Sequence, residues 1–212
     1  MGIYPKRNSR IPEKLAIGLR LLLGAVFLLG LFIQLLHAGE EAPDTLFARG
    51  DGPVEIYMFT DYFCPPCKGI EPYLEQALAE LNRRGAKIVF VDKPIHAVTP
   101  LYSKYFLYAA KKAGDFAQML HIRHALFDIA ATQNPQTERE LASSLKAYKI
   151  PYVPMDVKPV FDRWARLIDT YQVKSTPTCI VKQPGHDVRV LIGGRDIPEG
   201  IDRLLKELNK GA

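Results

Sequence analysis

Cysteine is scarce in this chain: Cys64, Cys67 and Cys179 are the only three among 212 residues. That excludes a disulfide-stapled scaffold, which needs a denser and even set, so the fold must rest on an ordinary apolar core. A second Cys-x-x-Cys is absent, and His121 and His124 lie far along the chain in a helical stretch. A closed zinc site needs two ligands beyond Cys64 and Cys67, and nothing supplies them, so no metal is expected. Dispersed positive charge is lacking as well. The formal net charge is +5, yet Lys6, Arg7, Arg10, Lys14 and Arg20 against Glu13 leave a single net positive charge for residues 21–212. A nucleic-acid surface needs clustered cations on the folded body, so that partner is excluded. Internal repeats and low-complexity segments are missing too.

What is present is core material. With 48% hydrophobic residues the chain can build one ordinary domain plus an extension. The extension is the apolar run LLLGAVFLLGLFIQLL over residues 21–36. Begun at Leu15, with Arg20 snorkelling, it makes a helix of roughly 33 Å, enough for a hydrocarbon core of about 30 Å. Cations precede it and Glu40, Glu41 and Asp44 follow it. The spacing therefore predicts a basic cytoplasmic N-terminus over residues 1–14, a transmembrane signal-anchor helix over 15–37, a linker over 38–52 and a folded domain over 53–212 outside the membrane. The competing reading is a cleaved signal peptide and a soluble periplasmic protein, although Leu36 is bulky for a small-x-small cleavage site before Ala38. Both readings export the domain to a compartment where disulfide chemistry belongs.

Within the domain, residues 54–60 (VEIYMFT) read as a strand and residues 65–84 as a helix, with Ile70, Leu74, Leu78 and Leu81 at helical spacing. Residues 86–91 (AKIVFV) form a continuous apolar strand, the pattern of a sheet covered on both faces. Strand, helix, strand makes a βαβ unit and a parallel pair. Four helical stretches follow at 100–113, 116–130, 137–148 and 157–171. Strands return at Thr178–Lys182 and residues 188–192, separated by the turn composition Gln183-Pro184-Gly185-His186-Asp187. Gly193-Gly194 closes the second strand, and residues 198–208 are expected to form the last helix, capped by Asp196. The predicted domain is an α/β fold: a four-stranded mixed sheet flanked by helices, with a helical insertion at about residues 97–172.

The chemistry concentrates at Cys64-Pro65-Pro66-Cys67. A disulfide across so short a loop restrains little of the unfolded chain, and suits a bond that is repeatedly made and broken. Cys64 falls between a strand's end and a helix's start, where orphan N–H groups and the macrodipole favour negative charge on sulfur. Pro65 takes the first helical position and Pro66 removes another donor, which leaves the Cys67 N–H as the expected partner of the Cys64 sulfur. Cys67, one turn on and less exposed, is the expected resolving thiol. Ser175-Thr176-Pro177-Thr178 stands immediately before a strand, where a proline without an N–H fits the first position or an edge. The sequence leaves its cis or trans state open. In a redox site Pro177 packs beside Cys64, and the Thr176 backbone pairs with an extended substrate segment.

The stretch from Cys64 to Pro72 resembles the active-site helix of the thioredoxin superfamily, which carries Lys after the second Cys and a kinking Pro five residues after it; here these are Lys68 and Pro72. Thr176-Pro177 is similar to that family's cis-proline loop, and Gly193-Gly194 falls where its members turn into their last helix. The long stretch between Val91 and Thr176 resembles the helical insertion of the DsbA-like branch. Over residues 53–212 the resemblance implies a thioredoxin-like fold, thiol–disulfide oxidoreductase activity, Cys64 as nucleophile, Cys67 as resolving thiol, a redox-active Cys64–Cys67 disulfide and Pro177 as cis-proline. Three departures accompany it. Pro65-Pro66 lacks the His that DsbA carries between its cysteines, and Met58 stands where thioredoxin and DsbA bury a carboxylate. Asp61 and Glu55 are the carboxylates nearby, with strand alternation leaving open whether either relays a proton. These two departures imply a disulfide less oxidising than DsbA's. Third, Thr before the proline resembles the Dsb isomerases, whose N-terminal dimerisation domain residues 39–52 are too few to form.

The other candidates read as structural. Cys179 is expected to be a buried, inert thiol, and His96 a surface or capping residue near the rim of the site. His121 and His124 share a helix face as solvated side chains, while Trp164, Tyr102, Tyr105, Phe106 and Tyr108 pack the insertion. Two function classes follow. One is an exported, membrane-anchored exchanger acting on cysteine-containing exported proteins, with a membrane or soluble redox partner and no cofactor. The other is a redox-inactive binding or assembly module of an envelope complex. Intact Cys64, Cys67 and Pro177 favour the first, in either direction of electron flow.

Overall fold

The structure, a computed structural model, describes residues 48–210. Among these no helix is long and apolar enough to cross a membrane, and the segment 15–37 read as an anchor lies outside the described residues. Strands β1 (Ala48–Arg49), β2 (Glu55–Thr60), β3 (Lys87–Asp92), β4 (Thr178–Lys182) and β5 (Arg189–Ile192) form one sheet in the order β1-β3-β2-β4-β5. The parallel pair is β2 with β3, in the register Ile56↔Ile88 to Thr60↔Asp92. Both strands are buried after their first residue, which is why they read as unbroken apolar runs. The other pairings are antiparallel.

The sheet has five strands, not the four expected, because Ala48 and Arg49 from the stretch read as linker pair with Val89 and Ile88. Two residues carry no periodicity to read, yet they cover the edge of β3 that would otherwise present unpaired backbone. The chain then passes so close to the turn before β3 that a Cβ on Gly52 would stand 2.0 Å from the Gly85 carbonyl oxygen, while its N–H donates to that oxygen at 2.9 Å. Only glycine permits that approach.

Helix α1 (Pro65–Arg83) connects β2 to β3, and its buried Ile70, Leu74, Leu78 and Leu81 face the sheet at the predicted spacing. The insertion comprises α2 (Thr99–Ala110), α3 (Phe116–Thr132), α4 (Glu138–Ala147) and α5 (Lys158–Thr170). Its starts are written locally: Asp115 accepts from the Gln118 N–H, and Thr137 with Glu140 makes a capping box. Tyr102 and Phe106 are fully buried, Tyr105 and Trp164 nearly so, and Phe106 and Phe116 meet Phe90 of β3. The expected packing role of these aromatics holds.

The last helix, α6 (Gly193–Lys210), differs from expectation. It begins directly where β5 ends, five residues before the predicted start, so Asp196 lies in its first turn and is not its cap. Gly193, at φ 85°, makes the reversal, and its N–H donates to the Pro177 carbonyl at 2.9 Å. That bond ties the start of α6 to the loop before β4. Ile197, Ile201 and Leu204 bury its inner face, and the Tyr73 hydroxyl of α1 donates to Asp202 at 2.7 Å.

Candidate active site

The carboxyl ends of the parallel pair position the Cys64–Cys67 turn. After Thr60 the chain reverses through Asp61-Tyr62-Phe63, and the Cys64 N–H donates to the Asp61 carbonyl at 3.1 Å. Cys64 is the N-cap of α1 with an extended backbone (φ −78°, ψ 114°), and Pro65 occupies the first helical position as the sequence suggests. Pro65, Pro66 and Lys68 are exposed. Cys64 is 8% exposed and Cys67 fully buried, so the order of access expected for nucleophile and resolving thiol is the order found.

Pro177 approaches from the other side of the chain. The Thr176–Pro177 peptide is cis. The Cys64 Sγ donates to the Thr176 carbonyl at 3.3 Å, across 112 residues of sequence. The partner expected from sequence, the Cys67 N–H, is therefore not the one found. The Thr176 hydroxyl is buried without a hydrogen-bond partner of normal geometry. Its polar contact with Cys67 and the Asp61 N–H both favour the Cys67 thiolate, but burial dominates and pushes that thiol up to about 12. Both cysteines are thiols here.

Asp61 turns out to be an anchor. Fully buried, it accepts from Phe63 N at 2.8 Å, Ile95 N at 2.8 Å, His96 N at 3.1 Å, His96 Nδ1 at 2.9 Å and Thr99 Oγ1 at 2.6 Å. Burial would raise its pKa, yet these donors together hold it below the usual carboxylate value. The loop before α2 is thereby fastened to the Cys64 turn, with the His96 ring 5.9 Å from that of Phe63. Glu55, at the far end of β2, accepts from Tyr57 and Lys182 instead. Met58 is fully buried opposite Cys179 and Phe90, so no carboxylate occupies that position. Cys179 is fully buried, and desolvation pushes its thiol up to about 12. His121 is exposed, and His124 lies 3.5 Å from Glu75 on the surface.

One turn past Cys67 lies a cluster that sequence reasoning missed. Glu71 takes two hydrogen bonds at 2.9 Å from Arg123 of α3, whose guanidinium also reaches Thr60 Oγ1 at 3.3 Å and lies 4.1 Å from the Phe90 ring centroid. Arg123 is fully buried, Glu71 is 4% exposed, and Asp92 at the end of β3 is 2% exposed. The available signals were an arginine among the apolar residues of α3 and an aspartate closing an apolar strand. Burial, partly offset by Arg123, pushes Asp92 up to about 6.

Neither a protein-family model nor a curated protein matches the sequence. The fold, by contrast, matches many solved structures. One is a periplasmic thioredoxin-like protein from Salmonella enterica serovar Typhimurium, with TM-score 0.59 and 18% identity, covering 82% of this chain and 95% of that one. Proteus mirabilis ScsC in a transitional conformation matches with TM-score 0.57 and 18% identity, over 97% of this chain and all of that one. The thiol-disulfide exchange protein alpha-DsbA2 from Wolbachia pipientis matches with TM-score 0.50 and 20% identity, over 79% of this chain and 88% of that one. The chain therefore has the thioredoxin-like fold, with its own four helices α2 to α5 inserted between β3 and β4.

Proposed function

We propose that this chain is a membrane-anchored, extracytoplasmic thiol–disulfide oxidoreductase that exchanges disulfides with the cysteines of exported proteins. The observation that carries the proposal is the 3.3 Å approach of the Cys64 sulfur to the Thr176 carbonyl, which sets a dithiol at a helix N-terminus against the loop of Pro177. The Wolbachia protein of the same fold is a thiol-disulfide exchange protein, and the Salmonella one is periplasmic. The anchor is the apolar segment 15–37, with the domain in the periplasm of a bacterial inner membrane.

In the reducing direction the Cys64 thiolate attacks a substrate disulfide, forming a mixed disulfide and releasing one substrate thiolate. That thiolate takes up a proton. Cys67 then loses its proton and attacks the Cys64 sulfur, forming the Cys64–Cys67 disulfide and releasing the second substrate thiol. Two electrons pass to the substrate, and the oxidising direction is the reverse. A thiol pushed up to about 12 by burial keeps its proton until the mixed disulfide forms, which suits Cys67 to the second step alone. An extended substrate segment pairs with the Thr176 backbone while its sulfur meets Cys64. Because Pro65-Pro66 carries no His, the disulfide is more reducing than DsbA's value of about −120 mV.

Insulin reduction tests the reading. Wild type and Cys179→Ser are expected to be active and Cys64→Ser inactive. An inactive wild type replaces the proposal with a redox-inactive docking module, and a glutathione titration fixes the potential.

A further inference from the structure

Helix α4 carries cations along one side, and its own stability explains only part of their placement. Lys146 lies in its last turn and Lys149 just past its end, where positive charge complements the exposed helix carbonyls. Arg139 lies in its first turn, where the same dipole opposes it. Arg139, Ala142, Ser143 and Lys146 recur at three- and four-residue spacing and so form one stripe of the helix surface. That stripe makes one wall of an open recess of about 680 Å³, and Lys149, Ile150, Pro151 and Tyr152 make the other. The second wall is held in place from α2. The Tyr152 ring lies 5.1 Å from that of Tyr105 and 6.4 Å from that of Tyr108, and the Val153 N–H donates to the Tyr108 carbonyl at 3.1 Å. No carboxylate lines the recess. Among the described residues Arg139, Lys146 and Lys149 make no ion pair. Both carboxylates of the first turn of α4 are committed elsewhere. Glu138 holds Lys104, and Glu140, which feels the Arg139 charge, is taken by the N–H groups of Gln136 and Thr137 on the side of a neighbouring recess.

Three like charges thus face one open space and repel one another until an anion enters it. Their separation sets the kind of anion. Arg139 and Lys146 stand about 10 Å apart along the helix axis, a distance that an extended chain covers in about three residues. One phosphate does not span that stripe, and three cations are too few for a nucleic-acid footprint. A space between two walls also suits a strand better than a flat membrane surface. An extended chain points successive side chains to opposite sides, so carboxylates at alternate positions face α4 while the residues between them face Pro151 and Tyr152. We propose that this recess docks an extended acidic segment of a partner protein, in which Asp or Glu alternates with apolar residues. The carboxylates meet Arg139, Lys146 and Lys149, with the Arg139 guanidinium able to pair both oxygens of one carboxylate. The small side chains of Ala142 and Ser143 between the cations let the segment approach the helix.

The full chain in a non-ionic detergent is titrated into the peptide Glu-Leu-Glu-Leu-Glu, amidated and carrying a neutral fluorophore, and into Gln-Leu-Gln-Leu-Gln, with anisotropy as the readout. The peptides contain no cysteine, so the result is independent of insulin reduction. At low salt the acidic peptide is expected to bind about tenfold or more tighter than its neutral counterpart, and to lose that advantage in about 0.5 M sodium chloride. Arg139→Glu combined with Lys146→Glu is expected to abolish the preference. Lys149→Gly separates docking from folding. Lys149 has φ 57° at the position after the helix end where glycine is the usual residue, so glycine relieves the backbone there. The urea midpoint of Lys149→Gly is expected to stay level or rise, while affinity for the acidic peptide falls about twofold to fivefold. Absence of saturable binding, equal binding of the two peptides, or a preference that survives the double charge reversal overturns the proposal. Displacement of the acidic peptide by dihexanoyl phosphatidylglycerol or by inorganic phosphate, at concentrations where free glutamate does not displace it, also overturns the proposal. The recess then belongs to a phosphate group, of a lipid in the first case and of a free ion in the second. Should the double variant fail to fold, Lys149→Gly decides, and an unchanged affinity in it overturns the proposal.

Discussion

Two aspartates lie at the ends of neighbouring parallel strands and share little except burial. Asp61 follows β2 and is fully buried, while Asp92 ends β3 at 2% exposure, opposite Thr60 in the parallel register. Asp61 receives hydrogen bonds from Phe63, Ile95, His96 and Thr99, whereas Asp92 receives none of normal geometry and has only the Tyr62 and Ser103 hydroxyls beside it. Burial pushes both toward the neutral form, yet the first is held below the ordinary carboxylate range and the second rises to about 6. Depth in the fold therefore does not set the charge state here; the number of donors aimed at the oxygens does. The Asp61 anion fastens a loop to the Cys64 turn, while Asp92 shares with Glu71 the single buried guanidinium of Arg123.

Removing Arg123 is expected to break this contrast most severely. Arg123→Met leaves Glu71 and Asp92 both buried without a counter-charge. Urea unfolding at pH 7 should show a loss of about 3–5 kcal/mol, the usual result of breaking a buried pair from one side. Adding Glu71→Leu should recover most of it, because apolar replacement of a whole buried pair is often close to neutral. A single substitution that costs under about 1 kcal/mol would mean that the pair is hydrated or able to rearrange.

Next in size is the opposite sign of two identical substitutions. Asp61→Asn turns an amide toward donors that needed a carboxylate, and should cost about 3 kcal/mol at pH 7. Asp92→Asn removes a buried charge that Arg123 only partly offsets and should cost nothing, or stabilise by at most about 3 kcal/mol, given a rise from 3.8 to about 6. The pH profiles separate them further. Asp61 has a folded pKa below its unfolded value, so its contribution is complete above about pH 4 and disappears as pH falls through the folded value. Asp92 has a folded pKa above its unfolded value, so stability declines as pH rises from about 4 to about 6 and is level beyond. Urea midpoints from pH 3 to 8 should lose the acid limb in Asp61→Asn and the decline between pH 4 and 6 in Asp92→Asn.

Neither aspartate's role was legible in the sequence, while the cysteines beside them were. Cys64-Pro65-Pro66-Cys67 and Thr176-Pro177 are local patterns whose chemistry follows from neighbours in the chain. Apart from Phe63, the donors to Asp61 come from residues 34 to 38 positions away, and Arg123 meets Glu71 across 52. No periodicity encodes contacts of that range. The same distinction holds for the fold. Four strands and the insertion helices announce themselves by apolar runs and periodicity, whereas β1 is too short for either. The start of α6 was missed because Gly193-Gly194 reads as a strand terminator. What sets that start is a positive φ at Gly193 and its bond to the Pro177 carbonyl, a contact made only once the sheet has formed.

The smallest expected effect tests whether donor number is the controlling variable. Thr99→Val keeps the shape of a fully buried side chain and removes the hydroxyl that donates to Asp61 Oδ2 at 2.6 Å. The backbone N–H groups of Phe63, Ile95 and His96 and the His96 ring remain in place. One donor to a charged acceptor is worth about 1.5–3 kcal/mol, so a loss at the low end is expected, because the oxygen keeps other partners. The acid limb of the stability profile should move to higher pH, since a carboxylate with fewer donors holds its proton more firmly. A loss as large as that of Asp61→Asn would assign the charge to this single hydroxyl. An unmoved acid limb would mean that the backbone donors suffice alone, and that Asp92 differs from Asp61 through the course of the chain around it and not through any one side chain.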